Sequence, residues 1–353
     1  ADLRSTTASN RAVEGLTMAL CVLLQTKNTE KGTTINRTKV TNIDESEQGK
    51  GGFGGDRAEG DDSPEPQILV DACHGLDLLT RASDPLVIDI IISTGALNDL
   101  AHYAKGTDNI SVSTAMTRVL GNISGAAADS VTMQVAQVAE TNGLLSKLGA
   151  ALVLDGTDSH LPTLKKEVCW LFSNIAASPT GSRILVAKPH GPSIVANLVD
   201  LLDQATWHIK REALFVVSNL VMRLPSSGLR LVVDYGAVPP LCAILTLNDA
   251  DAIAAVLRAL RSILQLSVNE FGCEYLRGVV EQSGAVEHLV DLQAHPNEQI
   301  YTEALELLEK FLGDEEANVD PVNMDEPNVF QKSAEKASDA RITGENQNPN
   351  LMV

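Results

Sequence analysis

The sequence predicts an all-α fold, a solenoid of stacked helical repeats, and two observations carry that reading. A helix-breaking glycine followed by small apolar residues returns at Gly95, Gly143, Gly191, Gly236 and Gly284, at intervals of 48, 48, 45 and 48 residues. An octapeptide, Glu167-Val-Cys-Trp170-Leu-Phe-Ser-Asn174, is echoed 45 residues later by Glu212-Ala-Leu-Phe215-Val-Val-Ser-Asn219. After each glycine comes an apolar run such as 194–202, then a polar break and a second amphipathic stretch such as 165–176. No apolar/polar alternation of the kind that marks strands stands out. Such helices cannot bury an apolar face alone, so neighbouring repeats must complete one continuous core.

Four segments follow in order. Residues 1–28 read as a degraded helical repeat. Residues 29–66, with Gly51-Gly-Phe-Gly-Gly55 and Asp61-Asp62 but almost no apolar periodicity, read as a disordered Gly-rich and acidic insertion. Residues 67–313 hold the regular repeats, whose period suits armadillo or HEAT arrays. Residues 314–353 read as a flexible acidic tail, since from Gly313 onward nine acids face three bases.

Bulk composition narrows the function. Apolar residues are 44% of the 353, enough for a core, while aromatics are only 3%, which suits Ala/Leu/Val helices packed at short range. A net charge of −19 argues against nucleic acid and anionic membrane surfaces and favours basic partners. No apolar run approaches a membrane span, and Ala1-Asp-Leu-Arg is no signal peptide. The missing initiator Met suggests a processed or truncated start. Cys21, Cys73, Cys169, Cys242 and Cys273 are odd in number and widely spaced, as expected of small buried apolar residues in a reducing compartment.

No enzyme is expected. The chain has no Gly-x-Ser-x-Gly elbow, His-Glu-x-x-His, Cys-x-x-Cys or phosphate loop, and its seven histidines are scattered singly. No cofactor or metal is expected either, and His74 reads as a structural or groove-lining residue. The octapeptide suggests binding instead. An i, i+4 pair lies on one helix face, so each copy sets an aromatic ring beside an amide, with a carboxylate one turn back. Aromatic faces attract cations, and an amide both donates to and accepts from a peptide backbone. Stacked copies would suit an extended Lys/Arg-rich peptide. The bland readings are a core role for Trp170, solvated amides at Asn174 and Asn219, and surface ion pairs for Glu167 and Glu212 beside their basic neighbours.

The stretch from Leu69 to about Asp314 resembles the C-terminal armadillo repeats of importin-α. Lys165-Lys-Glu-Val-Cys-Trp-Leu-Phe-Ser-Asn174 and Ile209-Lys-Arg-Glu-Ala-Leu-Phe-Val-Val-Ser-Asn219 look like its seventh and eighth repeats. Arg118-Val-Leu-Gly-Asn122 is similar to the sixth, and Leu292-Gln-Ala-His-Pro-Asn-Glu-Gln-Ile-Tyr301 to the last. The resemblance implies a right-handed superhelical solenoid whose third helices line a concave groove. There asparagines hold the backbone of a nuclear localisation signal and tryptophans flank its lysine stems.

Carried over, the peptide-binding residues are Arg118, Asn122, Glu167, Trp170, Asn174, Glu212, Phe215 and Asn219, a minor-site-like set. The tryptophan position is Phe215 in one repeat, His74 in another and Met18 in the first segment, where Val22 replaces the amide. The family's first three repeats and its importin-β-recruiting segment have no counterpart here, so importin-β would bind only through a missing N-terminal segment. The chain would then be a fragment or a diverged relative.

The resemblance further implies a nuclear import adaptor of cytoplasm and nucleus that carries Lys/Arg-rich signal-bearing cargo. The alternative is an armadillo scaffold that has lost signal binding. The C-terminal end, with Glu303, Glu306, Glu309, Glu315 and Glu316, would meet a nuclear export receptor; otherwise it is a polar cap.

Overall fold

A computed structural model describes residues 13–23, 65–82, 84–105, 109–126, 129–270 and 272–313. Most of the expected insertion and all of the acidic tail, including Glu315 and Glu316, lie outside these residues. The expected insertion boundary shifts, because helix already begins at Glu65. Every regular element among the described residues is helical.

Helix α1 covers 13–23. Then follow α2 (Glu65–Thr80), α3 (Pro85–Ser93), α4 (Leu97–Lys105), α5 (Ile110–Ala126), α6 (Asp129–Thr141), α7 (Leu144–Ala151), α8 (Leu161–Ala176) and α9 (Pro179–Val186). The rest are α10 (Gly191–Gln204), α11 (Trp207–Arg223), α12 (Ser226–Asp234), α13 (Val238–Ile244), α14 (Ala250–Asn269), α15 (Tyr275–Gln282), α16 (Ala285–Leu292) and α17 (Glu298–Leu307), which runs into a π-helical turn at Leu308–Leu312.

From α3 onward the helices come in threes, and the third of each set is α5, α8, α11, α14 or α17. With α2 these third helices stack without a break, α2 on α5, α5 on α8, α8 on α11, α11 on α14 and α14 on α17. The second helices form a parallel stack from α4 through α7 and α10 to α13. This is an armadillo-repeat solenoid.

Local chemistry sets the corners. Asp84, Ser178, Asp249 and Asn297 cap α3, α9, α14 and α17 by accepting a backbone N–H with the side chain. Between first and second helices the chain turns at Gly95, Gly143, Gly236 and Gly284, all at positive φ (67° to 86°), where other residues are strained. Gly191 shares their spacing but not their reason. It opens α10 against the Val186 main chain, where a Cβ would lie 2.1 Å from the Val186 carbonyl carbon.

One core runs the length of the stack and is built from Leu, Val, Ile and Ala, with Phe172 its largest fully buried side chain. All five cysteines are buried and unpaired. Burial pushes the thiols of Cys73 and Cys242 up to about 12, so neither is a nucleophile near neutral pH.

Candidate functional site

Burial fixes the register of the third helices. Leu76, Leu120, Phe172, Val217, Leu260 and Ala304 occupy equivalent, fully buried positions on α2, α5, α8, α11, α14 and α17. On a helix the residues two before and two after a buried position point to the opposite face and stack over each other. Those flanking pairs are His74/Leu78, Arg118/Asn122, Trp170/Asn174, Phe215/Asn219, Arg258/Ser262 and Thr302/Glu306. On α1, Met18/Val22 flank Leu20, which packs against Gly75 of α2. The pairs form one ladder of rungs along the third-helix stack.

Two rungs keep both an aromatic and an amide. Trp170 is half-buried, and its ring lies over Gly121 of α5, where a Cβ would sit 2.5 Å from its Cζ3. The Asn174 amide nitrogen donates to the Gly121 carbonyl at 3.1 Å and lies above Gly125, where a Cβ would come within 2.9 Å. One repeat on, the Asn219 amide donates to the Ser173 carbonyl at 3.0 Å. Each amide thus spends one N–H on the preceding repeat. Its second N–H and its carbonyl oxygen have no partner among the described residues. Phe215 is half-buried, with the Arg211 guanidinium 4.9 Å from its ring centroid. Asp249 and Asp251 of the next repeat hold that guanidinium at 2.9 and 3.3 Å.

The rung before them is closed. Arg118 pairs with Glu167 at 2.9 Å and with Asp77 of α2 at 3.4 Å, and Arg81 grips Asp77 at 2.5 Å. Asn122 turns the same way, donating to Thr80 Oγ1 at 2.9 Å and Asp77 Oδ1 at 3.3 Å. Burial raises the proton affinity of the Asp77 carboxyl, but Arg81 and Arg118 outweigh it and hold the group below the usual carboxylate range.

Glu167, expected among the peptide-binding residues, is instead 7% exposed and committed to Arg118. Glu212 differs. It is half-buried and has no ion pair among the described residues. Burial pushes its carboxyl up, Lys166 and Arg211 pull it part of the way back, and Glu167 repels it further. His74 is exposed at its rung.

At the C-terminal end, Glu306 accepts from Arg261 of α14 at 2.8 Å and lies 3.7 Å from Lys310. Glu303 accepts from Gln299 at 2.9 Å, while Glu309 is exposed. Among the described residues this end is therefore partly neutralised. Sequence reasoning missed Asp77, Thr80 and the two seating glycines. Gly121 and Gly125, four residues apart on α5, carry no signal until the neighbouring helix is known.

A family model described as "Atypical Arm repeat" matches residues 278–328. Importin subunit alpha-4 of Arabidopsis thaliana is 29% identical over 167 residues, 45% of this chain and 30% of the relative. Importin subunit alpha-1b of Oryza sativa subsp. japonica is 28% identical over 273 residues, 76% of this chain and 48% of the relative. The chain is thus similar to importin-α subunits and has the armadillo-repeat fold. It spans about half or less of the length of those relatives. A crystal structure of computationally designed armadillo repeat proteins for modular peptide recognition shares the fold, with a TM-score of 0.60 and 23% identity, covering 71% of this chain and 96% of its own. A designed armadillo protein in complex with the peptide (KR)4 shares it with a TM-score of 0.58 and 23% identity, covering 70% and 95%. Among the described residues no group of His, Cys, Asp and Glu could hold a metal ion, and no helix is long and apolar enough to cross a membrane.

Proposed function

We propose that the chain binds Lys/Arg-rich peptides of the nuclear-localisation-signal type on the third-helix face and serves as a nuclear import adaptor between cytoplasm and nucleus. The observation that carries this reading is the pair of adjacent rungs, Trp170/Asn174 and Phe215/Asn219, each with amide capacity left over. The amides take the peptide backbone, Trp170 takes the aliphatic stem of a basic side chain, and Glu212 takes its charge. Glu212 suits the last role because its ionised form is disfavoured in the unliganded protein, so an arriving cation relieves a standing cost. The grip is short. Helix layers are roughly 8–10 Å apart and an extended peptide advances about 3.3 Å per residue, so the two rungs span about three residues of peptide.

Arg118, Asn122 and Glu167 act differently in this reading. Their polar groups are directed to one another and to α2, so they stiffen the edge of the site and contact ligand little. Titration with a fluorescent Lys/Arg-rich peptide tests the proposal. Saturable binding, weakened at least tenfold by Asn174→Ala combined with Asn219→Ala, supports it; absence of binding at low salt refutes it.

A specific observation favours the second reading, a scaffold that has lost signal binding. Phe215 already carries a cation of its own chain, Arg211, held in place by two aspartates. In that case basic peptides would not bind, and a folded partner would use the face or edges of the solenoid. An export receptor at Glu303, Glu306 and Glu309, with Glu315 and Glu316 beyond the described residues, belongs to the adaptor reading and is tested by receptor capture with and without charge reversal at Glu309. Recruitment of importin-β would need a basic N-terminal segment, and pull-down with the full gene product tests it.

A further inference from the structure

The ladder changes character at its N-terminal end. Where Trp170 and Asn174 stand on α8, α1 presents Met18 and Val22, and α2 presents Leu78 beside His74. Met18 is 44%, Val22 47% and Leu78 65% exposed. From α5 onward the rung positions hold Arg118, Asn122, Trp170, Asn174, Phe215, Asn219, Arg258, Ser262, Thr302 and Glu306, with no aliphatic residue among them. The exposed aliphatic side chains at rung positions are thus confined to α1 and α2. Leu16 is also exposed, but it lies two positions from Met18 and so on another face of the helix. An exposed cluster of large apolar groups on one face marks a binding surface. Neither Val22 nor Leu78 can hydrogen-bond a peptide backbone, so this end can contribute affinity only by burying side chains.

We infer that the Met18–Val22–Leu78 surface is an apolar subsite for the same extended peptide whose basic residues occupy the Trp170 and Phe215 rungs. This rests on the peptide-binding reading above and specifies its ligand class as a basic run joined to a large aliphatic or aromatic residue. Continuity commits the site to that occupant. Leu78 on α2 is in register with the clamping rungs on the third-helix stack, and α1 approaches α2 through Leu20 at Gly75. The rung between, Arg118/Asn122, is closed by Asp77 and Glu167 and lets a chain pass without gripping it. From Leu78 on α2 to Trp170 on α8 is two helix layers. At roughly 8–10 Å per layer and about 3.3 Å per residue, the apolar residue falls about five or six residues from the basic one.

Three peptides test this against the full chain by fluorescence anisotropy. One is a Lys/Arg-rich run with a Gly/Ser extension at both ends. The others carry a leucine at the predicted spacing on one side or the other. The leucine on one side should tighten binding about tenfold, the scale of burying one such side chain, and the leucine on the other side should do nothing. The gain should vanish in Leu78→Asn and in Met18→Ser with Val22→Ser, while the plain basic peptide binds all three proteins equally. Exposed substitutions of this kind leave the core intact, and circular dichroism checks that each variant folds.

No gain on either side, or a gain that survives Leu78→Asn, overturns the subsite while leaving basic-peptide binding standing. Failure of the plain peptide to bind overturns the parent reading and this one with it. A photo-crosslinker introduced at Leu78 should capture the leucine-bearing peptide; capture of residues 24–64 of this chain, or of a second copy, assigns the surface to that occupant instead and overturns the proposal.

Discussion

The amide nitrogen of Asn174 donates to the carbonyl of Gly121, 53 residues earlier, at 3.1 Å. This bond ties consecutive third helices together and turns the remaining half of the amide outward. Trp170 rests on the same glycine, so one position without a side chain seats both members of the rung. Gly121→Ala should therefore act on the rung from behind. Its Cβ would meet Trp170 Cζ3 at 2.5 Å, so the indole must swing out or the helices must part. The expected loss is about 1–3 kcal/mol, typical of overpacking. Urea denaturation measures it, and a red shift of Trp170 emission in a Trp207→Phe background reports displacement of the ring. A variant of unchanged stability and emission would show that the ring does not lean on Gly121.

Asn219 separates structure from ligand contact. Its amide contributes one hydrogen bond to Ser173, worth about 0.5–1.5 kcal/mol net at a partly exposed site. Asn219→Ala should cost no more than that in unfolding free energy. In the adaptor reading it should also weaken a basic peptide about tenfold, because the bound backbone then loses its clamp. Calorimetric titration alongside urea melts distinguishes the cases. A stability loss without an affinity loss would place the amide wholly in the service of the fold.

Much of the architecture is legible in the sequence because it is written in repetition. The glycine interval and the duplicated octapeptide set the helix order, and four of the five glycines do turn the chain at positive φ. Gly191 shows where spacing misleads, since its smallness serves contact with the Val186 main chain. The rung pairs were also legible, because an i, i+4 relation is local. The directions of their polar groups were not. Whether Glu167 faces a ligand or Arg118 depends on a helix 49 residues away, and nothing in Glu167-Val-Cys-Trp170 encodes that partner. Asp77 escaped notice for the same reason, since a lone Asp between two leucines carries no pattern.

Arg211 decides how open the second rung is. Its guanidinium lies over Phe215 while Asp249 and Asp251 hold it from the far side. Arg211→Ala should expose the ring to a peptide cation and raise basic-peptide affinity about two- to fivefold, the scale of an exposed cation–π contact of about 0.5–1 kcal/mol. A fall in affinity would mean that Arg211 positions the rung and does not occupy it.

Glu212 predicts a pH dependence with a definite sign. Its carboxyl is raised above the ordinary glutamate range, chiefly by burial. The folded protein therefore holds a proton there that the unfolded chain has released, and stability falls as pH rises from the ordinary range through the raised value. Glu212→Gln should remove that dependence and slightly stabilise the protein at neutral pH. Peptide affinity should run the other way. A bound cation favours the carboxylate, so affinity in the wild-type chain should rise with pH through the same window and flatten in Glu212→Gln. Parallel thermal melts and titrations from pH 4 to 7 check both signs. An affinity profile unaltered by the substitution would remove Glu212 from the site.

Asp77 should behave oppositely. Buried to 1% exposure, its carboxyl is nevertheless held below the usual range by Arg81 and Arg118. A depressed carboxylate contributes stability that is fully present above its unfolded value and is lost as pH falls through its folded one. Asp77→Asn should therefore cost about 1–3 kcal/mol at neutral pH, the scale of breaking hydrogen bonds to a buried charged group. The cost should shrink in acid, where the wild-type carboxyl is itself protonated. The substitution also frees one side of Arg118 and loosens the Asn122 amide, which would then be held chiefly by Thr80. If the closed rung is only a structural lock between α2 and α5, basic-peptide affinity stays unchanged in Asp77→Asn while stability drops. An affinity that rises as the rung opens would instead show that Asp77 keeps a third amide out of the binding face.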